Sequence, residues 1–505
     1  MIGRRSFLQL TGGALAAGSA IGSMLGRAVA ADCVGATITD GSLARFRSQI
    51  AGSVILPNDV SYSSARRLYN QRFDSYPVFI VRAVNESDIA RSIEFARVNG
   101  VRLAIRSGGH SYIGASGGTG IVLDLSLMST VTAIGTGMFR IGTGARLQQV
   151  YEELACNGNW TVPCGSCNTV GFGGIAQGGG FGYLQRAYGL TCDRIRSMRV
   201  VLADGTAVNA SPDGDADLFW ALRGSGGGSL GVVTHFDVEA VPQSQLHNFT
   251  WFWPLAIADQ AISLMSSLQQ SGVIPNLATP SLSFSTGTAT MSPQPQCQAT
   301  LLSIGTLAET AAIKQLFVGA GGIPETPGLG YQYEQPFPVC HAAVNPEFGW
   351  YRSKSAMVYG TPASDTGAFI TEWINRRLAD PALGASNVGS VSLLGMRGVI
   401  GSVAANETAF PHRDALFDVQ IYGGLSQVTP ASSRANDAWL RGIYADVFPR
   451  LSTTGSGCYV NYCDADLLET EWPSLYWGAN YPRLQATKRR VDPGDFFHGK
   501  QTIRI

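Results

Sequence analysis

Three glycine-flanked segments carry the side chains best suited to chemistry. The first is Arg106-Ser107-Gly108-Gly109-His110-Ser111-Tyr112, directly after an apolar run that reads as a strand. Small residues with free N–H groups in such a turn form a nest for an anionic pyrophosphate, and paired glycines let the backbone approach it closely. His110 then stands at the edge of whatever lies in the cradle. The second runs Cys164-Gly165-Ser166-Cys167-Asn168-Thr169-Val170-Gly171-Phe172-Gly173-Gly174 and continues to Gly178-Gly179-Gly180-Phe181-Gly182. Its C-x-x-C pair suggests a dithiol redox motif or half of a zinc site. Zinc would need partners of similar spacing, and none follows in the sequence. A thioredoxin-type dithiol opens a helix, whereas the glycines here predict extended chain. The third, Arg223-Gly224-Ser225-Gly226-Gly227-Gly228-Ser229-Leu230-Gly231-Val232-Val233-Thr234, has a loose dinucleotide-like glycine pattern. It does not follow a strand and open a helix, so a Rossmann nicotinamide site is disfavoured.

Alternating strands and helices must position these loops. Short strands are expected at Val78 to Val81, Val101 to Ile105, Ile121 to Leu125, Phe139 to Ile141 and Ile195 to Leu202. Helices are expected from a cap at Ser87 to about Asn99, with Ile89, Ile93 and Ala96 on one face, and at Leu147 to Ala155 and Asp217 to Leu222. Beyond Val241 the texture changes. Phe249 to Trp253 and Ser281 to Ser285 alternate apolar and polar residues, as antiparallel strands with one wet face do. Helical stretches intervene at Ala256 to Leu268 and Ala311 to Phe317, and another begins near Ala438. The fold class expected is α+β. Residues 45–242 would form one domain, 243–437 an inserted antiparallel-sheet domain, and 438–505 a return to the first.

In order and spacing, these loops resemble the berberine bridge enzyme family, within the larger vanillyl-alcohol-oxidase group of flavoproteins. R-S-G-G-H-S-Y is similar to that family's histidine loop and Gly165-x-Cys-x-Thr-Val-Gly-x-Gly-Gly to its cysteine loop. Tyr459-Val460-Asn461-Tyr462-x-Asp464 resembles its Y-x-N-Y-x-D strand. Tyr476 to Leu484 (Y-W-G-A-N-Y-P-R-L) and Asp492 to Phe497 resemble its closing segment. The resemblance implies a two-part PCMH-type FAD-binding domain. It also implies FAD bonded twice, His110 to the 8α-methyl carbon and Cys167, rather than Cys164, to C6. Cofactor contacts are implied for Arg106, Ser107, Gly108, Gly109, Ser111, Tyr112, Thr169, Val170, Gly171, Gly173, Gly174, Gly178, Gly231, Val233, Asn480 and Tyr481. The chain departs from the family at Asn168, where proline is usual, and at Ile175, where histidine is usual. Neither position supplies an attachment atom.

The same resemblance makes Tyr462 the base that takes a proton from the substrate. A phenol does this only when its phenolate is stabilised by a cation or a second hydrogen bond. The family's glutamate base is replaced here by Gln420, whose amide can orient but not accept a proton. Tyr112 is expected to pack near the flavin. Val170 stands where the family gates oxygen, and valine admits it. An oxidase acting on an alcohol, with O2 as acceptor and H2O2 as product, is therefore expected. Its substrate would be an oligosaccharide or a glycosylated metabolite. The alternatives are a dehydrogenase with another acceptor and a flavoprotein that sequesters a metabolite without turnover.

Composition excludes other classes. Of 505 residues, 14% are charged and 45% hydrophobic, as expected of a packed globular protein. Lys plus Arg and Asp plus Glu both number 36, so no basic field exists to attract nucleic acid. His235, His247, His341, His412 and His498 lack metal-ligand spacing; His412 is expected to anchor a loop. Trp251 and Trp253 are expected to pack. Residues 1–30 read as an export signal: Arg4-Arg5, a short apolar stretch and an Ala28-Val29-Ala30 cleavage site resemble a twin-arginine leader. Export by that machinery would place the mature chain outside the cytoplasm with no membrane span. Nine cysteines fit an oxidising compartment, where eight could pair if one holds cofactor.

Overall fold

The computed structural model describes residues 38–287, 295–318, 331–336, 349–384, 387–452 and 454–505; of 331–336 only the backbone path is described. The leader at 1–30, His341, Cys33 and Cys340 lie outside these residues.

Strands β1 (Ser53–Ile55), β2 (Phe79–Arg82), β3 (Leu103–Arg106) and β4 (Ile121–Asp124) form a sheet in the order β1-β2-β4-β3. β4 runs parallel to both β2 and β3, and β1 is antiparallel to β2. Apolar runs in β2 and β4 suit parallel strands covered on both faces, and Phe79, Val81, Ile121 and Leu123 are buried. The helix Glu86–Val98 lies over them through Ile89, Ile93 and Ala96, the predicted face. Its cap is Asn85, not Ser87: the Asn85 side chain accepts from the Asp88 N–H.

A second, antiparallel sheet has the order β5-β6-β10-β8-β9, from β5 (Val131–Gly135), β6 (Met138–Gly142), β8 (Ile195–Val201), β9 (Ala207–Ala210) and β10 (Val232–Glu239). The short strands β7 (Trp160–Thr161) and β11 (Val241–Pro242) pair beside it. The third glycine segment leaves the helix Ala216–Leu222 and enters β10, so no dinucleotide crossover forms there.

The third sheet has seven antiparallel strands, β15-β12-β14-β13-β17-β18-β16. These are β12 (Gln245–Trp253), β13 (Ala278–Ser285), β14 (Gln296–Ser303), β15 (Tyr331–Pro336), β16 (Trp350–Val358), β17 (Gly389–Gly395) and β18 (Phe417–Leu425). One face, with Leu282, Phe284, Ala299, Leu301, Val391, Leu393, Val419 and Ile421, is sealed by helices Ala258–Ser271, Thr366–Ala379 and Pro430–Leu451. Trp251 and Trp253 join this core as packing residues. Alternate residues on the other face (Ser281, Ser283, Ser285, Gln298, Thr300, Ser390, Ser392, Gln420 and Tyr422) stay partly open, giving the expected wet face.

Two expectations are corrected. β12 and β16 are buried on both faces; β16 lies under the segment near residue 458, where the Tyr459 N–H donates to Ser355 Oγ and the Met357 N–H to the Gly457 carbonyl. The helix expected from Ala438 starts at Pro430, set by a Thr429–Ser432 capping box, and its Trp439, Leu440, Ile443 and Val447 belong to the sheet core. Chain returning to the first unit therefore starts after Leu451. No disulfide forms among the described residues: seven cysteines are free thiols, four of them buried.

His412 does anchor a loop. Nδ1 lies 2.6 Å from the Tyr359 hydroxyl and Nε2 lies 3.1 Å from the Tyr476 carbonyl. Burial lowers its pKa to about 4, with backbone hydrogen bonds opposing the shift. The unfolded chain, with an ordinary imidazole near 6.5, then binds more protons than the folded one between these values. The His412 contribution to stability is complete above about pH 6.5 and lost as pH falls toward 4. Thermal melts of His412→Asn should show a lower Tm at pH 7 and a shallower decline from pH 7 to 4 than wild type.

Candidate active site

Two glycine loops meet backbone to backbone. A Cβ on Gly108 would lie 2.2 Å from the Gly171 nitrogen, and one on Gly171 would lie 2.1 Å from Ser107 Oγ. Gly109 holds φ +75°, which favours glycine. The Ser107 hydroxyl donates to the Thr143 carbonyl at 2.7 Å, and a Cβ on Gly173 would strike Thr143 Oγ1. The Leu147 and Gln148 N–H groups donate to the Val170 and Asn168 carbonyls at 3.0 and 3.1 Å, docking the cysteine loop on the start of helix Leu147–Cys156. Gly174 is exposed, with open space where a side chain would project.

This contact brings His110 and Cys167 around one hydroxyl. His110 Nε2 lies 3.0 Å from Thr169 Oγ1, and Cys167 Sγ lies 3.8 Å from the same oxygen. Tyr69 stacks on the imidazole at 3.9 Å with 15° between planes. Burial, then repulsion from Arg146, lowers the His110 pKa to about 3, so the ring is neutral at ordinary pH. Burial raises the Cys167 thiol, opposed by hydrogen bonds from Thr169 and Val170. Cys164 is different: it is fully buried in the core, and burial pushes its thiol up to about 11. The extended chain expected after these cysteines is in fact the short helix Phe172–Gln177. Tertiary contacts override glycine's poor propensity. Phe172 and Ala176 enter the core, and Gln177 Nε2 donates to the Gly173 carbonyl at 2.6 Å.

A second group of side chains faces the sheet. Tyr112 and Tyr462 stack at 5.1 Å, 9° from parallel, and Gln420 Nε2 donates to the Tyr112 hydroxyl at 2.7 Å. Tyr459 and Phe181 meet Tyr462 edge-on. Tyr462 lies on a 3-10 turn, Val460–Tyr462, rather than on the expected strand. The turn is pinned by the Tyr459 hydroxyl, which accepts from the Gly180 N–H at 2.9 Å and from Asn461 Nδ2 at 2.8 Å. Gly178 leaves room for Asn461, whose Oδ1 would be 2.1 Å from a Cβ there. Burial holds the Tyr462 phenol well above 10, and the groups that push it further are Tyr112, Asp418, Tyr459 and Cys167. Among the described residues, no cation contributes to that balance.

Other expected contacts lie apart from this cluster. Arg106 supports the His110 turn from behind, donating to the Ala65 and Ser116 carbonyls and facing Asp124 at 3.9 Å. Ser111 accepts from the Ala115 N–H. A Cβ on Gly231 would meet Val200 at 2.7 Å, and Val233 pairs with Val200 inside the core. Asn480 donates to the Ala405 and Thr408 carbonyls; Tyr481 stacks on Trp477 and accepts from the Arg504 N–H. Sequence reasoning missed Tyr69, Tyr351 and Asp418. Asp418 had a signal, since it shares a strand face with Gln420 two residues on. Tyr69 and Tyr351, which meet the cluster from separate segments, had none.

A family model described as an FAD binding domain matches residues 77–211, and one described as berberine and berberine like matches residues 458–504. The chain is 29% identical over 471 residues to the uncharacterised FAD-linked oxidoreductase YgaK of Bacillus subtilis, covering 90% of this chain and 98% of that one. It is 28% identical over 557 residues to the aclacinomycin-N/aclacinomycin-A oxidase of Streptomyces galilaeus, covering 99% and 98%. A solved glucooligosaccharide oxidase from Acremonium strictum, described with 6-S-cysteinyl, 8α-N1-histidyl FAD, superposes with a TM-score of 0.80. That match has 23% identity and covers 91% of this chain and 99% of the other. The fold and the matched segments define an FAD-linked oxidoreductase of the PCMH type. Within that class the matched segments and relatives are similar to the berberine bridge enzyme-like FAD oxidases.

The loop contact is testable. Gly171→Ala should destabilise the protein by about 1–3 kcal/mol through overpacking. It should also lower the flavin retained after acid precipitation, as read by absorbance of the denatured protein.

Proposed function

We propose that this protein is an oxidase whose FAD is bonded to both His110 and Cys167 and which oxidises a CH–OH group of a sugar or glycosylated metabolite. The observation that carries this is the convergence of a neutral imidazole and a thiol on Thr169. Each is a nucleophile free of an ion pair, set beside glycine backbone that can approach a planar ring. The glucooligosaccharide oxidase of similar fold is described with the same two kinds of linkage. When bound at His110 and Cys167, FAD would supply the hydride-accepting chemistry, with O2 as the final acceptor and H2O2 as product.

The chain's own residues supply the rest. The Tyr112–Tyr462 stack and Gln420 would orient the reacting hydroxyl. Val170, part-buried against the core, would leave oxygen a path at the ring edge. From Gln420 the open sheet face continues through Ser392, Ser283 and Gln298, paired in register across four strands. Three strand spacings span about 14 Å. Hydroxyl and amide groups dominate that face, and its small serines leave a shallow floor. Such a surface suits an extended, neutral, polyhydroxylated ligand. We read residues 1–30 as a twin-arginine leader, which would export the protein folded with its cofactor.

The test begins with purified holoprotein. Its colour should survive acid precipitation, and mass spectrometry should place flavin on peptides containing His110 and Cys167. Anaerobic glucose, maltose, cellobiose or chitobiose should bleach it, with peroxide released on admitting air; slow reoxidation in air would remove the oxidase reading. Tyr462→Phe should keep the covalent colour and lose turnover by about 100-fold or more, the range expected of a lost proton acceptor.

A further inference from the structure

One hydroxyl stands between the two attachment residues. Thr169 Oγ1 lies 3.0 Å from His110 Nε2 and 3.8 Å from Cys167 Sγ. A hydroxyl has a single proton to give and two lone pairs with which to accept, so the two contacts are coupled. The sulfur sits among donors. The Thr169 hydroxyl, the Thr169 N–H and the Val170 N–H all favour its charged form against the effect of burial. A hydroxyl proton directed at sulfur leaves Oγ1 to accept from Nε2, which must then carry the imidazole proton. Burial keeps the ring neutral, so it has one such proton, and its lone pair stands on Nδ1. The ring plane and the loop are fixed as well. Tyr69 stacks on the imidazole at 3.9 Å, and its own N–H donates to the Gly109 carbonyl at 3.1 Å. A Cβ on Gly108 would lie 3.1 Å from the Thr169 carbonyl, which leaves the two loops little play.

We propose that Thr169 is the positioning residue for cofactor attachment: its hydroxyl accepts from His110 Nε2 and donates to Cys167 Sγ, which aims Nδ1 at the 8α carbon and readies the sulfur for C6. The inference rests on the reading that FAD is bonded to both side chains, and it is independent of the substrate. The Nδ1–C8α bond forms as a C8α–H bond breaks, and the Sγ–C6 bond forms as a C6–H bond breaks. For the first, the protons released come from C8α and Nε2; for the second, from C6 and the thiol. Each bond leaves an electron pair in the flavin. O2 takes that pair with the two protons and becomes H2O2. Thr169 forms no bond to the cofactor and acts through its two neighbours. Without the hydroxyl, the neutral imidazole can carry its proton on either nitrogen, and the sulfur loses one of its donors.

The test compares wild type, Thr169→Val and Thr169→Ser, each purified as expressed with its cofactor. Peptide mass spectrometry counts the flavin bonded to His110 and to Cys167, and NMR of the isolated flavin peptide shows which imidazole nitrogen carries it. Wild type should have both bonds, with Nδ1 as the histidyl atom. In Thr169→Val the fraction bearing the thioether should fall about tenfold, the loss expected of one hydrogen bond to a charged atom. Its histidyl bond should divide between Nδ1 and Nε2, and Thr169→Ser should match wild type on both counts. A merely structural threonine would lower both bonds together and would not move one of them to the other nitrogen. Thr169 is part-buried and valine is also β-branched; should that variant not fold, Thr169→Ala takes its place, and collapse of both overturns the proposal. So does a hydroxyl-free variant with wild-type thioether content or with Nδ1 as its sole histidyl atom, or a serine variant that behaves like valine. Wild type bonded through Nε2 overturns it too. Each of these results leaves the two-bond reading intact, whereas wild type lacking either bond overturns that reading and this inference with it.

Discussion

The close approach of Gly108 to Gly171 is the constraint on which the site depends. Neither position has space for a methyl group, because each faces the other's backbone at van der Waals contact. Only through that contact do a histidine and a cysteine from distant parts of the chain come within reach of Thr169. The contact is held from both sides. Arg106 ties the histidine turn to the Ala65 and Ser116 carbonyls, and the start of helix Leu147–Cys156 holds the cysteine loop. Two rigid supports thus fix two reactive groups, which is the condition for attaching both to one planar cofactor.

A second clamp sets the opposite wall. The turn bearing Tyr459 and Tyr462 has little regular structure of its own. Its position comes from Tyr459 reaching Gly180, from backbone contacts to β16, and from Lys354 of β16 paired with Asp464 at 2.6 Å and Asp466 at 2.9 Å. Arg352 extends this network to Asp437 at 2.9 Å. Buried pairs of this kind add little net stability, but breaking one leaves an uncompensated charge, so the arrangement is specific. The sheet that presents Gln420 and Asp418 is thereby locked to the segment that presents Tyr462.

Much of this was readable in the chain itself. Apolar runs and 3.6-residue periodicity placed most strands and helices, because local side-chain pattern decides which face an element buries. Motif order marked His110, Cys167 and Tyr462, and the missing strand before Gly224 argued against a Rossmann site. Boundaries that depend on distant partners were misplaced. Phe172–Gln177 is helical because its side chains find a core, Pro430–Leu451 begins at a capping box before its apolar stripe, and Tyr462 sits on a turn pinned by Tyr459.

Sequence by itself determined the reactive side chains and the glycines that allow backbone to approach backbone, since both are properties of residue type. Tertiary structure alone decided that Tyr69 stacks on the His110 ring and that Arg106 and Asn480 are used in support. Among the described residues, it alone left the buried Asp418 Oδ1 without a hydrogen-bond partner. Burial and pairing are set by whichever segments fold against a residue, and those segments are far away in the chain.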